Sequence, residues 1–169
     1  MAARRRAPQK RKPSAYIPWA IVGAVILAFV LLLVALARQP RLVGVGGHWH
    51  ARYTIEVCGK ILPPLPASQG EVHTHGDGVI HIHPTTAANA GRRANLETFF
   101  RTTVVRLTGS RITIPGGPDY KNGDRCPDGK PGTLRALVQH AGEKDFAPLR
   151  NFLRYAPSDR DLIRILFGP

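Results

Sequence analysis

The hydrophobic pattern of this chain changes period along its length. Residues 18–37 read Pro-Trp and then Ala, Ile, Val, Leu, Phe and one Gly without a charge, about the length a helix needs to cross a bilayer. A helix apolar on every side does not suit a soluble surface, so a membrane helix is predicted there. Farther on, Tyr53, Ile55 and Val57 alternate with Thr54 and Glu56, the period-two pattern of a half-buried strand, and Cys58-Gly59-Lys60 supplies its turn. Pro63, Pro64 and Pro66 end the segment after that turn. Residues 72–75 and 79–83 read as the arms of a hairpin around Gly76-Asp77-Gly78, closed by Pro84. Asn95 is placed to cap a short helix through Leu96, Glu97, Phe99 and Phe100, with the paired Phe residues in the core. Beta-branched residues predict strands at 102–107 and 111–114, a turn-rich loop at 115–132, and last strands at 134–138 and 162–167. Between those last two, residues 145–155 read as a short helix or irregular crossover. The class is α+β: one N-terminal transmembrane helix followed by a small, mainly antiparallel β domain.

Charge orients the helix. Arg4, Arg5, Arg6, Lys10, Arg11 and Lys12 precede it with no acid among them, whereas only Arg38 and Arg41 follow closely. The positive-inside rule then keeps residues 1–17 in the cytoplasm as a basic tail on anionic inner-leaflet lipid. Tyr16 and Trp19 fall near the inner boundary, where amphipathic rings prefer to sit. A cleaved signal peptide is the alternative, since Ala35-Leu36-Ala37 has small-residue cleavage spacing, but its apolar core usually runs only about 7 to 15 residues. Both readings export the same domain. Residues 38–47 form a short stalk and residues 48–169 the exported domain.

The formal charge of +13 changes meaning once it is divided. Of 24 Lys and Arg, six lie in the tail, which leaves 18 beyond the helix against all 11 acids. That outer excess is scattered, with no nucleic-acid recognition motif and the wrong compartment for one. Anionic lipid and a membrane-protein partner are therefore expected, and nucleic acid is not. The two cysteines, Cys58 and Cys126, form no Cys-x-x-Cys pair and neither adjoins a histidine. In an oxidising compartment a disulfide is favoured over thiolate metal ligation.

Six of the seven histidines fall in three His-x-His pairs: His48 and His50, His73 and His75, His81 and His83. Residues two apart on a strand share a face, so each pair points two imidazoles one way. An odd-numbered hairpin loop would put His73, His75, His81 and His83 on one face, whereas a two-residue loop would split them. Imidazoles in such a cluster suit a transition metal ion, with copper or zinc the first expectations. Glu56, Glu71 and Asp77 are candidate carboxylate ligands or acceptors that orient a ring nitrogen. Trp49 should point to the opposite face, and His140 stands apart as a structural or exposed residue. A pH-dependent charge switch is the competing use of such rings.

The run His48-Trp49-His50-Ala51, the segment Ile55-Glu56-Val57-Cys58-Gly59-Lys60 and the block from His73-Thr74-His75-Gly76-Asp77-Gly78 to His81-Ile82-His83-Pro84 resemble a family of largely uncharacterised membrane-anchored proteins of actinobacteria and related bacteria. The resemblance continues through Asn122-Gly123-Asp124-Arg125-Cys126, Gly129-Lys130-Pro131-Gly132 and Ile165-Leu166-Phe167-Gly168-Pro169. It implies kinship over nearly all of the exported domain and no particular reaction. At Gln139-His140-Ala141-Gly142 this chain departs from the Val-Asn-Gly turn of those proteins, a difference that bears on turn geometry.

The sequence thus points to an extracytoplasmic metal-binding protein for capture, buffering or delivery. An envelope interaction or assembly module with structural or pH-sensing histidines is the second reading, and a metal-dependent enzyme the third. No hydrolase elbow, Walker loop or zincin helix is present, which lowers the enzyme reading.

Overall fold

A computed structural model describes residues 16–37 and 41–169, with the helix side chains from Trp19 to Leu36. The basic tail residues and Arg38, on which the expected orientation rests, lie outside the described residues, as does the side chain of Tyr16. The chain forms two compact units, Met1–Pro40 and Arg41–Pro169.

In the first unit α1 (Tyr16–Ala37) is one unbroken helix of 22 residues, about 33 Å long at 1.5 Å per residue. None of its Trp19–Leu36 stretch is buried, and it is long and apolar enough to cross a membrane. It lies near the N-terminus, where a signal sequence would share these properties.

The second unit contains β1 (Trp49–Val57), β2 (Lys60–Ile61), β3 (Val72–His73), β4 (Val79–Ile82), α2 (Leu96–Thr102), β5 (Arg106–Leu107), β6 (Arg111–Thr113), β7 (Asp119–Lys121), β8 (Thr133–Gln139), β9 (Ala147–Leu149) and β10 (Leu162–Gly168). Seven strands make the main sheet in the order β3-β4-β1-β10-β8-β9, with β2 beside the end of β1, while β5, β6 and β7 make a small second sheet. All pairings are antiparallel except β1 with β10, which run parallel from Arg52 beside Leu162 to Val57 beside Phe167. The α+β class with a mainly antiparallel sheet is therefore what forms. Its central parallel pair was not expected.

Alternation decides which face is wet. Along β1, Ala51, Tyr53, Ile55 and Val57 are buried while His50, Arg52 and Thr54 are exposed. Leu134, Ala136 and Val138 of β8 and Ile163 and Ile165 of β10 join the buried side, and Leu96, Phe99 and Phe100 of α2 complete the core with Val105 and Ile112. The Tyr53 and Phe99 rings sit 5.3 Å apart. Asn95 caps α2 as expected, its side chain accepting the Thr98 amide at 2.9 Å.

The compact unit starts before His48. Val43, within the segment read as stalk, is 2% exposed, and its carbonyl accepts the Gly91 amide at 2.7 Å. Other segments differ from expectation, and of the strand read over 102–107 only Arg106–Leu107 forms, because α2 runs on to Thr102. Residues 119–121 sit in the turn-rich stretch yet form β7, because Tyr120 stacks on Phe167 at 4.8 Å and pairs with Ile112. Residues 145–155 hold β9 and a 3₁₀ turn at Phe152–Arg154. Near the sequence departure, the Glu143 amide returns to His140 O at 2.9 Å and Gly142 takes φ +86°, so a turn still forms.

Cys58 and Cys126 are disulfide-bonded, with Cα atoms 5.5 Å apart and a sequence separation of 68. Cys58 and Gly59 are the two central residues of the β1–β2 hairpin, with φ of +51° and +80°. A two-residue hairpin turn of the primed type requires positive φ at both positions. Cutting the cross-link with C58S or C126S is expected to cost about 2 to 4 kcal/mol. The two variants should lose equal stability in urea denaturation of residues 41–169, because each removes the same bond; unequal losses would mean that one side chain has a separate role.

Candidate metal centre

The site is built by register. In the hairpin, Val72 faces Ile82 and His73 faces His81, the pairing that a three-residue turn over Gly76-Asp77-Gly78 produces. Gly76 and Gly78 take φ of +86° and +75°, conformations that side chains resist. Asp77 Oδ1 accepts the Val79 amide at 3.1 Å and so fastens the turn to its own second arm. On the other edge of β4, Trp49 faces Ile82 and His50 faces His81. These two registers align His73, His81 and His50 across three strands, and set Glu71, His83 and His48 in the next row.

All six imidazoles of the three pairs therefore share the open face. The residues between them go the other way: Ala51, Val72, Thr74, Ile80 and Ile82 are each no more than 1% exposed, and Trp49 packs against the core. Because the two faces are so unlike, a one-residue slip would put imidazoles into the core and aliphatics into water.

Among the described residues, His48, His50 and His83 offer ligand atoms that all lie within 4.8 Å of one another. His48 Nε2 is 3.0 Å from His50 Nε2, and the His48 and His83 rings are 3.8 Å apart. Nitrogen ligands held at about 2.0–2.1 Å in a tetrahedron are roughly 3.3–3.4 Å from each other. Small rotations of exposed rings would close the set on an ion. His83 Nε2 is buried with no hydrogen-bond partner, as are His73 Nδ1 and Glu71 Oε2. Buried polar atoms are normally satisfied. Nitrogen lone pairs in a ring cluster are donors that a cation would satisfy, so these residues fit a transition metal.

Electrostatics favour the neutral, ligating form of three rings. Partial burial, then the neighbouring His81 and His48, push His50 below 6.5. His73 is lowered by burial and by His75 and His81, and His83 by burial and by His48 and His73. Asp77 is the opposite case. Burial works against its ionisation, but hydrogen bonds from the His81 ring and the Val79 amide prevail and hold its carboxyl at about 2. Its Oδ2 lies 2.9 Å from His81 Nε2.

The carboxylates expected around the rings divide. Asp77 touches His81, as above. Glu71 stands in the row of His83, where the Thr85 hydroxyl donates to its Oε1; that bond, chiefly, lowers its pKa. Glu56 does not belong to the centre. It lies six residues from His50 along β1, about 20 Å at 3.3 Å per residue, and it pairs with Arg164 at 3.0 Å. Sharing a face with the histidines does not bring it near them.

The structure adds residues that the sequence did not mark. The loop before β10 clamps the backbone of His50: Asp159 Oδ1 accepts its amide at 3.0 Å, and the Arg160 amide donates to its carbonyl at 2.6 Å. Arg160 itself takes φ +65°, a conformation a non-glycine residue adopts only when its surroundings enforce it. Behind it, the fully buried Asp161 accepts from the Tyr155 hydroxyl and from the Ser158 amide at 2.8 Å, and lies 2.9 Å from His140 Nδ1. Burial, then Asp161, raises the Tyr155 pKa. His140 is thus a structural partner of a buried carboxylate. Nothing in local spacing signals the grip on His50, since Asp159 lies 109 positions from it.

No family model, curated protein or solved structure matches the chain. The geometry of the rings is what supports a metal centre.

The lowered pKa values set a pH dependence for the metal-free protein. Between the folded values of His50, His73 and His83 and the ordinary 6.5, the unfolded chain binds more protons than the folded one. Stability is then complete above that window and falls as pH drops through it. Urea midpoints for residues 41–169 stripped of metal are expected to decline from about pH 7.5 to about pH 5, with a shallower decline in H83Q. An H83Q slope equal to that of the parent would contradict the assignment.

Proposed function

We propose that this chain is a membrane-anchored extracytoplasmic protein that binds a transition metal ion, copper or zinc, for capture, buffering or delivery at the outer membrane surface. One observation carries the reading: ligand nitrogens of His48, His50 and His83 all lie within 4.8 Å of one another on one sheet face. The apolar N-terminal helix and the Cys58–Cys126 disulfide support the location, since such bonds persist in oxidising compartments. The excess of Lys and Arg before the helix supports a cytoplasmic N-terminus, on anionic inner-leaflet lipid. The same motifs support kinship with the membrane-anchored actinobacterial family they resemble.

A carrier is favoured over an enzyme. Three nitrogen ligands leave a coordination position open, as in catalytic zinc sites, but water activation also needs a free base nearby. Glu56 is distant and ion-paired, and Glu71 is engaged at Oε1 by Thr85 while its Oε2 is buried away from water. A site on an open sheet face suits exchange of the ion with a partner.

Titration of the full chain in detergent with Zn(II) or Cu(II), followed by elemental analysis after dialysis, is expected to find bound metal. H83A should weaken binding by more than the roughly 10–100-fold typical of losing an outer-shell partner, because it removes a ligand. A folded protein that remains metal-free at micromolar Cu(II) and Zn(II) would sink the reading.

A further inference from the structure

We propose that the histidine face holds two ions side by side, one on His48, His50 and His83 and the other on His73, His75 and His81 with Asp77. This rests on the metal-binding reading and adds its stoichiometry and its second ligand set. Two of the six imidazoles, His48 and His75, each sit between two close neighbours and so mark two trios. His48 meets His50 and His83 with centroids 4.6 and 3.8 Å apart. His75 meets His73 and His81 at 4.7 and 4.4 Å. The trios touch along one seam, through His50 with His81 at 4.8 Å, His73 with His83 at 5.5 Å and His81 with His83 at 6.0 Å, spacings like those that close each trio, His73 with His81 at 5.5 Å and His50 with His83 at 6.0 Å.

Strand spacing argues against one shared ion. The rings come from three adjacent strands about 4.8 Å apart, so β1 and β3 are separated by roughly 10 Å. An ion that keeps its nitrogens at about 2.0–2.1 Å collects rings from one neighbourhood of such a face and leaves the rest. The second trio has ligand pairs of suitable size. His73 Nε2 and His75 Nε2 are 3.1 Å apart, and His81 Nε2 and Asp77 Oδ2 are 2.9 Å apart. In the metal-free protein the first pair needs one ring to donate a proton to the other; an ion replaces that proton and uses both lone pairs.

Two divalent cations this close repel each other, and the face supplies negative charge at both ends. Asp77 lies on the second trio, its Oδ1 accepting the Val79 amide at 3.1 Å and its Oδ2 2.9 Å from His81 Nε2. Glu71 stands in the row of His83 and His48 and keeps a buried Oε2 without a partner. Each trio thus has a carboxylate beside it.

The test uses the full chain in detergent, loaded with Zn(II) or Cu(II), and counts ions per chain by elemental analysis after dialysis. Two are expected. H48Q should bind one ion and keep the second trio; H75Q with Asp77→Asn should bind one and keep the first. His48 and His75 are exposed, so neither replacement disturbs the core, and circular dichroism checks that the fold persists. With Cu(II), electron paramagnetic resonance should show spin–spin broadening in the parent and its loss in each variant. A parent that binds one ion, lost equally in both variants, overturns the two-ion arrangement while leaving the protein a metal binder. A parent that binds none overturns both readings.

Discussion

The pairing of β4 with a strand on each of its edges sets where every imidazole goes. Side chains alternate with period two on all three strands, so one choice of register on each edge of β4 either gathers six rings or scatters them. Two separate forces make that choice. On the core side, Ile80 and Ile82 are completely buried beside Ala51 and Val72, and burial of an aliphatic side chain is worth roughly 1.5–3 kcal/mol. On the turn side, the two glycines and Asp77 shape a loop of one length. The chemistry of the open face is thus enforced by the packing of the face that carries no chemistry.

The second support comes from the far end of the chain. β10 lies parallel to β1, and the loop leading into it reaches over to grip the main chain of His50. That loop is stiffened from behind by Asp161, a buried carboxylate satisfied by Tyr155, Ser158 and His140. Because the amide and carbonyl of His50 are both engaged, its ring is anchored at the backbone, while the imidazole is held only by its contacts with His48 and the neighbouring rings. A metal ligand benefits from that combination: a fixed origin and an adjustable tip.

Much of this was legible in the sequence, for reasons particular residues make plain. The His-x-His spacing declares a shared face within each strand, and Trp49, Thr74 and Ile82 between the pairs declare the buried one. Asn95 before Leu96 announced its cap, and two cysteines in a unit expected to be exported announced a bond. The hairpin register was not legible, since Gly76-Asp77-Gly78 accepts more than one turn and the decision belongs to backbone angles. Nor was the grip on His50, because Asp159 and Arg160 meet it only through pairing of distant strands. Glu56 misled for a related reason: alternation tells which side a residue faces but not how far along the strand it stands. Strand β7 hid in a turn-rich stretch because Tyr120 owes its conformation to Phe167, not to its neighbours.

The position of the disulfide has a topological meaning. The covalent ring it closes runs from Cys58 to Cys126, and inside that ring lie both strands of the hairpin, α2 and the small sheet. His73, His75, His81 and His83 are therefore ring residues, whereas His48, His50 and the whole of β8 to β10 hang from it as two free arms. A local hairpin forms readily, but the arms must find each other across the chain, the slow kind of contact in folding. Cys58 sits at the tip of β1 and Cys126 just ahead of β8, so the bond tethers the roots of the two arms. The search that completes the central sheet begins with its ends already neighbours.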